Sequence, residues 1–276
     1  MNNSITQAKE IIAKADAILI MSGAGMGVDS GLPDYRSKEG FWKAYPPLRS
    51  FNYLYTQMAT PEVFFNMPKL AWAFYGHRLA LYRDTTAHEG FLHLKKWCDE
   101  KSAGYFLFTS NVDGQFQKAG FNVNKICEIH GSIHHLQCLE GCTSEVWDNE
   151  LEIEDLAINM DILQVNNLPK CPYCDAIVRP NIVMFGDGGF KYERYFVQND
   201  RFERWLHKTA GMKIAIIEIG AGTEIPTVRQ MSDKLSSMNK ETTLIRINPQ
   251  ASEVSNPGDI ALKMGGLAAL ELINRA

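Results

Sequence analysis

Short, continuously apolar runs alternate along this chain with segments of helical period. Ala17-Ile18-Leu19-Ile20-Met21, Tyr105-Phe106-Leu107-Phe108-Thr109, Lys125-Ile126-Cys127-Glu128-Ile129, Ile214-Ala215-Ile216-Ile217-Glu218-Ile219 and Thr243-Leu244-Ile245-Arg246-Ile247 are each five or six residues long. That length and apolarity suit strands buried on both faces. Before the first run, Ile5, Ala8, Ile11, Ile12 and Ala15 share one side of an amphipathic helix. A further helix is predicted from Thr60-Pro61-Glu62, where threonine can cap and proline suits the first turn, and Pro68 ends it. The next runs from about Lys69 to Arg83, with Trp72, Tyr75, Leu79 and Tyr82 at helical spacing, and another covers about His88 to Lys101. The aromatic-rich stretch from Gly40 to Tyr55 is predicted to be irregular. Strands alternating with helices predict an α/β fold: a Rossmann-like parallel sheet with helices on both faces.

Polar residues follow the strand candidates. The first runs into Ser22-Gly23-Ala24-Gly25-Met26-Gly27-Val28, whose glycines at 23, 25 and 27 allow a sharp turn and close approach to a ligand. Backbone N–H groups in such a loop favour a phosphate guest. By itself Gly23-x-Gly25-x-x-Val28 lacks the third glycine of the dinucleotide fingerprint and reads equally as a plain turn. Ser110-Asn111-Val112-Asp113-Gly114, Gly220-Ala221-Gly222-Thr223 and Asn248 also follow strands, where open α/β sheets bind ligands. Separately, Cys138-x3-Cys142 and Cys171-x2-Cys174 are two chelating pairs with the spacing of a tetrahedral zinc site. Four protein ligands leave no open position, so one structural Zn(2+) is expected. His134 and His135 read as surface or packing residues, and Cys98 and Cys127 as core.

The continuation Gly31-Leu32-Pro33-Asp34-Tyr35-Arg36 gives the glycine loop a specific context. With it, the stretch resembles the sirtuin signature, a Gly-Ala-Gly loop running into Gly-Ile-Pro-Asp-Phe-Arg. Thr109, Asn111 and Asp113 match the family's Thr-Gln-Asn-Ile-Asp, His130-Gly131 its His-Gly, and Arg179 to Asp187 its Arg-Pro-x-Val-Val-x-Phe-Gly-Glu. Gly27, Ser110 and the Gly220 to Thr223 loop depart from the usual residues. The resemblance spans about residue 17 to the C-terminus and implies NAD-dependent removal of acyl groups from protein lysine. It further implies release of nicotinamide and O-acyl-ADP-ribose. It makes His130 the base for a ribose hydroxyl, a task suited to imidazole, with Asn111 a second catalytic residue. Gly23, Ala24, Gly25, Asp34, Tyr35, Arg36, Ser110, Asn111, Asp113, Gly220, Gly222, Thr223 and Asn248 would hold NAD. Val183, Met184, Phe185 and Gly186 would pair with an acylated peptide as an added strand.

Tyr75-Gly76-His77-Arg78 resembles the Tyr-x-x-Arg element of sirtuins that remove acidic acyl groups, with the guanidinium suited to a carboxylate. The same residues read equally as a helix face with Tyr75 packed inward and Arg78 in water. The expected organisation is a Rossmann-like domain of residues 1–39, 86–132 and 177–276, a helical insertion at 40–85 and a zinc-binding module at 133–176. Two other activities remain open at this level: ADP-ribosyl transfer or NAD hydrolysis, and a non-catalytic NAD-sensing role.

Composition narrows the partners. A chain of 276 residues with 45% hydrophobic content and a net charge of -4 has no clustered Lys and Arg for nucleic acid or a membrane surface. No apolar run reaches a membrane span's length, and the N-terminal pattern is not secretory. A cytoplasmic protein is expected.

Overall fold

The structure, a computed structural model, describes residues 2–33, 38–50 and 52–276. Its strands are β1 (Ala17–Ser22), β2 (Tyr105–Thr109), β3 (Ile126–Glu128), β4 (Gly131–Cys138), β5 (Trp147–Asp148), β6 (Ile158–Asn159), β7 (Gln164–Val165), β8 (Val178–Ile182), β9 (Ile214–Ile219), β10 (Thr242–Ile247) and β11 (Ile260–Leu262). Six of them form one sheet in the order β11-β10-β9-β1-β2-β3, and every pairing in it is parallel. The chain winds outward from β1 through β2 to β3, then returns to β9 and winds the other way. The strand order therefore reverses between β1 and β9, which opens a crevice at their carboxyl ends.

Alternation along β1 explains the layers. Ile18 and Ile20 enter a core shared with the Asn2–Lys14, Glu89–Asp99 and Gly266–Arg275 helices through Ile12, Leu94 and Leu270. Ala17, Leu19 and Met21 point to the opposite face, against Phe202 and Val228 of the Glu193–Lys208 and Thr227–Met238 helices. A period of two along a strand, buried on both sides, produces this division.

A third core lies outside the large sheet. Phe41, Tyr45, Phe64, Trp72 and Phe74 pack there with Leu136, Val178 and Ile182 of the antiparallel sheet β5-β4-β8. The Trp72 indole N–H donates to the Val178 carbonyl at 2.8 Å, tying the Pro68–Asp84 helix to β8. The stretch expected to be irregular instead contains short helices at Lys38–Ala44, Pro46–Ser50 and Tyr55–Met58. Phe41, Tyr45 and Leu48 recur at helical spacing and are buried, so tertiary packing overrides their weak local propensity. Thr60 precedes the Pro61–Asn66 helix as expected, but its hydroxyl donates to the Gln57 carbonyl at 3.2 Å rather than capping.

Arg246 and Glu218 lie opposite each other in adjacent strands β10 and β9. Their side chains, 2% and 0% exposed, make a two-point ion pair at 2.7 and 2.9 Å. Asp233 adds a further contact to Arg246 at 2.8 Å. Arg246→Met should cost about 3–5 kcal/mol, because it leaves the Glu218 charge buried without its partner. Urea unfolding at neutral pH checks this, and Glu218→Gln in the same chain should recover part of the loss.

Candidate active site

The crevice is built where two backbone turns meet. The Gly23 N–H donates to Ile219 O at 3.0 Å and the Gly25 N–H to Gly220 O at 3.1 Å. A Cβ at Gly23 would lie 2.6 Å from Gly220 O, and one at Gly25 would lie 2.6 Å from Gly220 Cα. Gly220 itself has φ +62°. Glycine is thus required by the approach of one loop to the other. The N–H groups of Gly23 and Gly25 serve the β9 turn, and Ala24 is the residue of this loop that faces the adjoining cavity.

That cavity, about 260 Å³, lies between the sheet and the helical layer. Its sheet side carries Ser110, Asn111, Asp113 and His130. The Asn111 side-chain amide donates to Gly23 O at 3.0 Å, and its backbone N–H donates to Thr109 Oγ1 at 3.0 Å. Asp113 is 7% exposed and accepts the Gln115 N–H at 2.9 Å. Burial, with Glu128 nearby, pushes its pKa up to about 6 against the opposing Gln115 hydrogen bond and Arg78 charge.

His130 occupies the turn between β3 and β4. Its carbonyl accepts the Val183 N–H at 3.0 Å, so the histidine and the segment after β8 are held together. Gly131 adopts φ +78°, and a Cβ there would overlap the Asn181 carbonyl oxygen. Glycine at 131 is therefore a steric requirement of this junction.

Val183, Met184 and Phe185 line the same cavity, but they lie beyond the end of β8 and are not in strand pairing. Their N–H groups go to His130 O at 3.0 Å, Asp187 Oδ2 at 3.2 Å and Ala59 O at 2.8 Å. A buried ion pair fixes this turn: Arg179 contacts both Asp187 carboxylate oxygens, at 2.8 and 2.9 Å. The two side chains are 2% and 1% exposed. Gly186, at φ +68°, completes the bend.

Arg78 is on the cavity wall, as expected, and Tyr75 is not. The Tyr75 ring stacks on Phe64 at 5.3 Å, and its buried hydroxyl has no hydrogen-bond partner among the described residues. Tyr82 faces the cavity instead, and its hydroxyl accepts from Arg78 Nη2 at 2.8 Å. The pair on the cavity wall is Arg78-x3-Tyr82, one helical turn in the other direction, a spacing equally legible in the sequence. The rings of Phe74 and Tyr82 lie 5.3 and 5.4 Å from the Arg78 guanidinium carbon.

Other expected residues contribute differently. The Asn248 side chain donates to Ala221 O at 3.0 Å and accepts the Gln250 and Ala251 N–H groups at 2.9 Å each, so it braces the β9 and β10 loops. Gly222 and Thr223 follow in the β9 loop, half-buried and exposed. Asp34, Tyr35 and Arg36 lie outside the described residues.

The four cysteines Cys138, Cys142, Cys171 and Cys174 bring their sulfurs within 4.8 Å of one another. Cys138 and Cys174 Sγ are 3.7 Å apart, and Cys142 and Cys171 Sγ 3.6 Å. A tetrahedron of sulfurs around zinc at about 2.3 Å has edges of roughly 3.8 Å, so these thiolates fit the ion. The nearby histidines are engaged elsewhere: His134 Nε2 is 3.0 Å from Asp113 O, and His135 Nε2 is 3.2 Å from Asp148. Among the described helices none is long and apolar enough to cross a membrane.

A doubly wound sheet, a cavity at its order reversal and an appended four-cysteine cluster together define an α/β ligand-binding protein with a structural metal site. The Sir2 family model matches residues 23–199, and the chain belongs to that family. An NAD-dependent protein deacylase of Aquifex aeolicus is 28% identical over 248 residues, covering 89% of each chain. One from Aeropyrum pernix is 25% identical over 276 residues, covering 99% of this chain and 97% of the other. Among solved structures, a mutant Sir2 homologue with ADP ribose superimposes with a TM-score of 0.68 at 22% identity, over 96% of this chain and 94% of that one. Sir2Tm bound to a propionylated peptide gives 0.63 at 19% identity, over 96% and 94%. These structures share the fold.

Two outcomes follow from the geometry. The purified protein should carry one zinc per chain by elemental analysis, and Cys171→Ala should lose it together with the order of the 138–178 segment in hydrogen exchange. Asp113 binds its proton more tightly when folded, at about 6, than in the unfolded chain, at about 3.9. Its stabilising contribution is therefore complete below about pH 4 and lost as pH rises through about 6. Asp113→Asn should gain on the order of 3 kcal/mol relative to wild type between pH 4 and pH 7.5, read from urea midpoints.

Proposed function

We propose that this chain is an NAD-dependent protein-lysine deacylase, which consumes NAD and one water and releases nicotinamide, deacylated lysine and O-acyl-ADP-ribose. The observation that carries the reading is the convergence of Asn111, Asp113, His130 and the Val183–Phe185 turn on one cavity at the sheet's order reversal. That place suits a dinucleotide, and Ala24, Ser110, Asn111 and Asp113 would hold it, together with the Gly220 to Thr223 loop. When bound, NAD supplies an anomeric carbon that the acyl oxygen attacks as nicotinamide departs. His130 takes the ribose hydroxyl proton, since neutral imidazole accepts protons near neutral pH. The Val183 bond to its carbonyl holds that base beside the turn where the acylated lysine enters. Asn111 and Asp113 orient the sugar and carboxamide, and Met184 with Phe185 walls the acyl chain from water.

Arg78, with Tyr82, forms the far side of the cavity, and its fork suits an acidic acyl group such as succinyl. Residues 1–39, 86–132 and 177–276 carry the dinucleotide-binding domain in this reading, 40–85 the helical insertion and 133–176 the zinc module, except that β8 (Val178–Ile182) pairs with β4 outside the large sheet and belongs with the zinc module. The enzyme works in the cytoplasm on protein substrates, not nucleic acid.

The test is mass spectrometry of NAD incubated with the protein and matched acetyl- and succinyl-lysine peptides. Free lysine and O-acyl-ADP-ribose are expected. His130→Tyr should abolish both while zinc and fold persist, and Arg78→Met should lower desuccinylation about tenfold more than deacetylation. Equal loss on the two peptides removes the acyl assignment. Nicotinamide release without peptide change would establish NAD hydrolysis or ADP-ribosyl transfer instead, and NAD binding without turnover a sensor.

A further inference from the structure

Lys118 makes no contribution to the cavity lining, yet its ammonium is placed at the end of the helix that does. Its Nζ donates to Tyr82 O at 2.9 Å, to Thr85 O at 3.0 Å and to Arg83 O. These carbonyls belong to the carboxyl end of the Pro68–Asp84 helix, where the last carbonyls lack helical partners and the helix dipole favours a cation. Gln115 Nε2 reinforces the contact, reaching Thr85 O at 3.3 Å and Tyr82 O at 3.5 Å.

The other end of this bracket is the cofactor side of the cavity. Gln115 and Lys118 lie on one short helical turn, Gln115–Lys118, which begins two residues after Asp113. Its first N–H is the donor to Asp113 Oδ1 at 2.9 Å. One short stretch of chain therefore holds Asp113 on one side and the Tyr82 backbone on the other. Arg78 is bonded in turn to the Tyr82 hydroxyl at 2.8 Å. Lys118 itself faces a separate cleft of about 880 Å³, which it shares with Arg83 and His134.

We propose that Lys118 is a positioning residue for the acyl cavity: by binding the end of the Pro68–Asp84 helix it sets the distance between the Arg78–Tyr82 wall and the Asn111–Asp113 wall. The inference rests on the deacylase reading for its kinetic readout and on the hydrogen-bond geometry for its structural one. It acts on binding of the acyl chain and not on proton transfer, because its ammonium bonds the helix-end carbonyls while Asp113 keeps its own hydrogen bond from the Gln115 N–H.

The test uses Lys118→Met, which keeps length but removes the donors, Lys118→Arg, which keeps them, Tyr82→Phe, and the Met–Phe double variant. Kinetics are measured on whichever acyl-lysine peptide the wild type turns over faster. Lys118→Met should raise KM about tenfold with kcat within about twofold, Lys118→Arg should restore KM to within about twofold of wild type, and the double variant should be no worse than Lys118→Met alone. Additive effects in the double variant, a fall in kcat at unchanged KM, or equal damage from Met and Arg would overturn the proposal. Hydrogen exchange of the 82–86 amides supplies a readout independent of turnover. It should quicken in Lys118→Met and not in Lys118→Arg, and unchanged exchange in Lys118→Met overturns the proposal. Should the wild type turn over neither peptide, the deacylase reading falls and the exchange result alone decides this one.

Discussion

Two backbone turns in contact, with no room for a side chain between them, set the geometry of everything at the top of this sheet. Gly23 and Gly25 meet Gly220 so closely that a Cβ on any of the three would enter its neighbour's backbone. The hydrogen bonds from Gly23 to Ile219 and from Gly25 to Gly220 close the contact. Once β1 and β9 end in register, Asn111 at the end of β2 has the Gly23 carbonyl within reach, and Asn248 after β10 has the Ala221 carbonyl. Four strand ends are thereby locked to one another by amides that would otherwise be unsatisfied in a buried setting.

A second junction ties this sheet to the outer layer. His130 ends the β3 side and Gly131 begins β4, which belongs to the antiparallel sheet. The left-handed Gly131 and its closeness to Asn181 allow the chain to cross from one sheet to the other beside the cavity. The buried Arg179–Asp187 pair then turns the chain back after β8, presenting Val183 to His130 and Phe185 to Ala59. A buried pair of this kind is weak evidence for stability, since desolvation offsets most of its attraction, but with Met184 N–H on the same carboxylate it specifies one conformation of the turn.

Much of this was legible in the sequence because strands buried on both faces announce themselves as short apolar runs, and the candidate site positions follow them directly. Cysteine spacing carried the metal cluster for an equally simple reason: two chelating pairs need only be brought together once. The Gly40 to Tyr55 stretch misled because aromatic residues have weak helix propensity and fold as helices here only through burial. The sequence leaves Tyr75 open between the cavity and the helix interior, and the structure packs it inward. Its spacing from Arg78 puts both on neighbouring turns, but the structure stacks the Tyr75 ring on Phe64, a contact with no local pattern in the sequence. Lys118 had no signal at all, since a lysine on a four-residue helix looks like any solvated charge until the carbonyls of a distant helix end are seen beneath it.

The electrostatics of the cavity follow from the same arrangement. Asp113 and Arg78 are both buried and face a common space, so each is charged at the cost of desolvation and relieved in part by the other. With the carboxyl near 6, the Asn111–Asp113 side is close to neutral in weak acid and negative at neutral pH, while the Arg78 side is positive throughout. The neutral-pH cavity is thus polarised from the helical wall to the sheet. A guest that brings positive charge toward Asp113 and negative charge toward Arg78 is favoured over the reverse orientation.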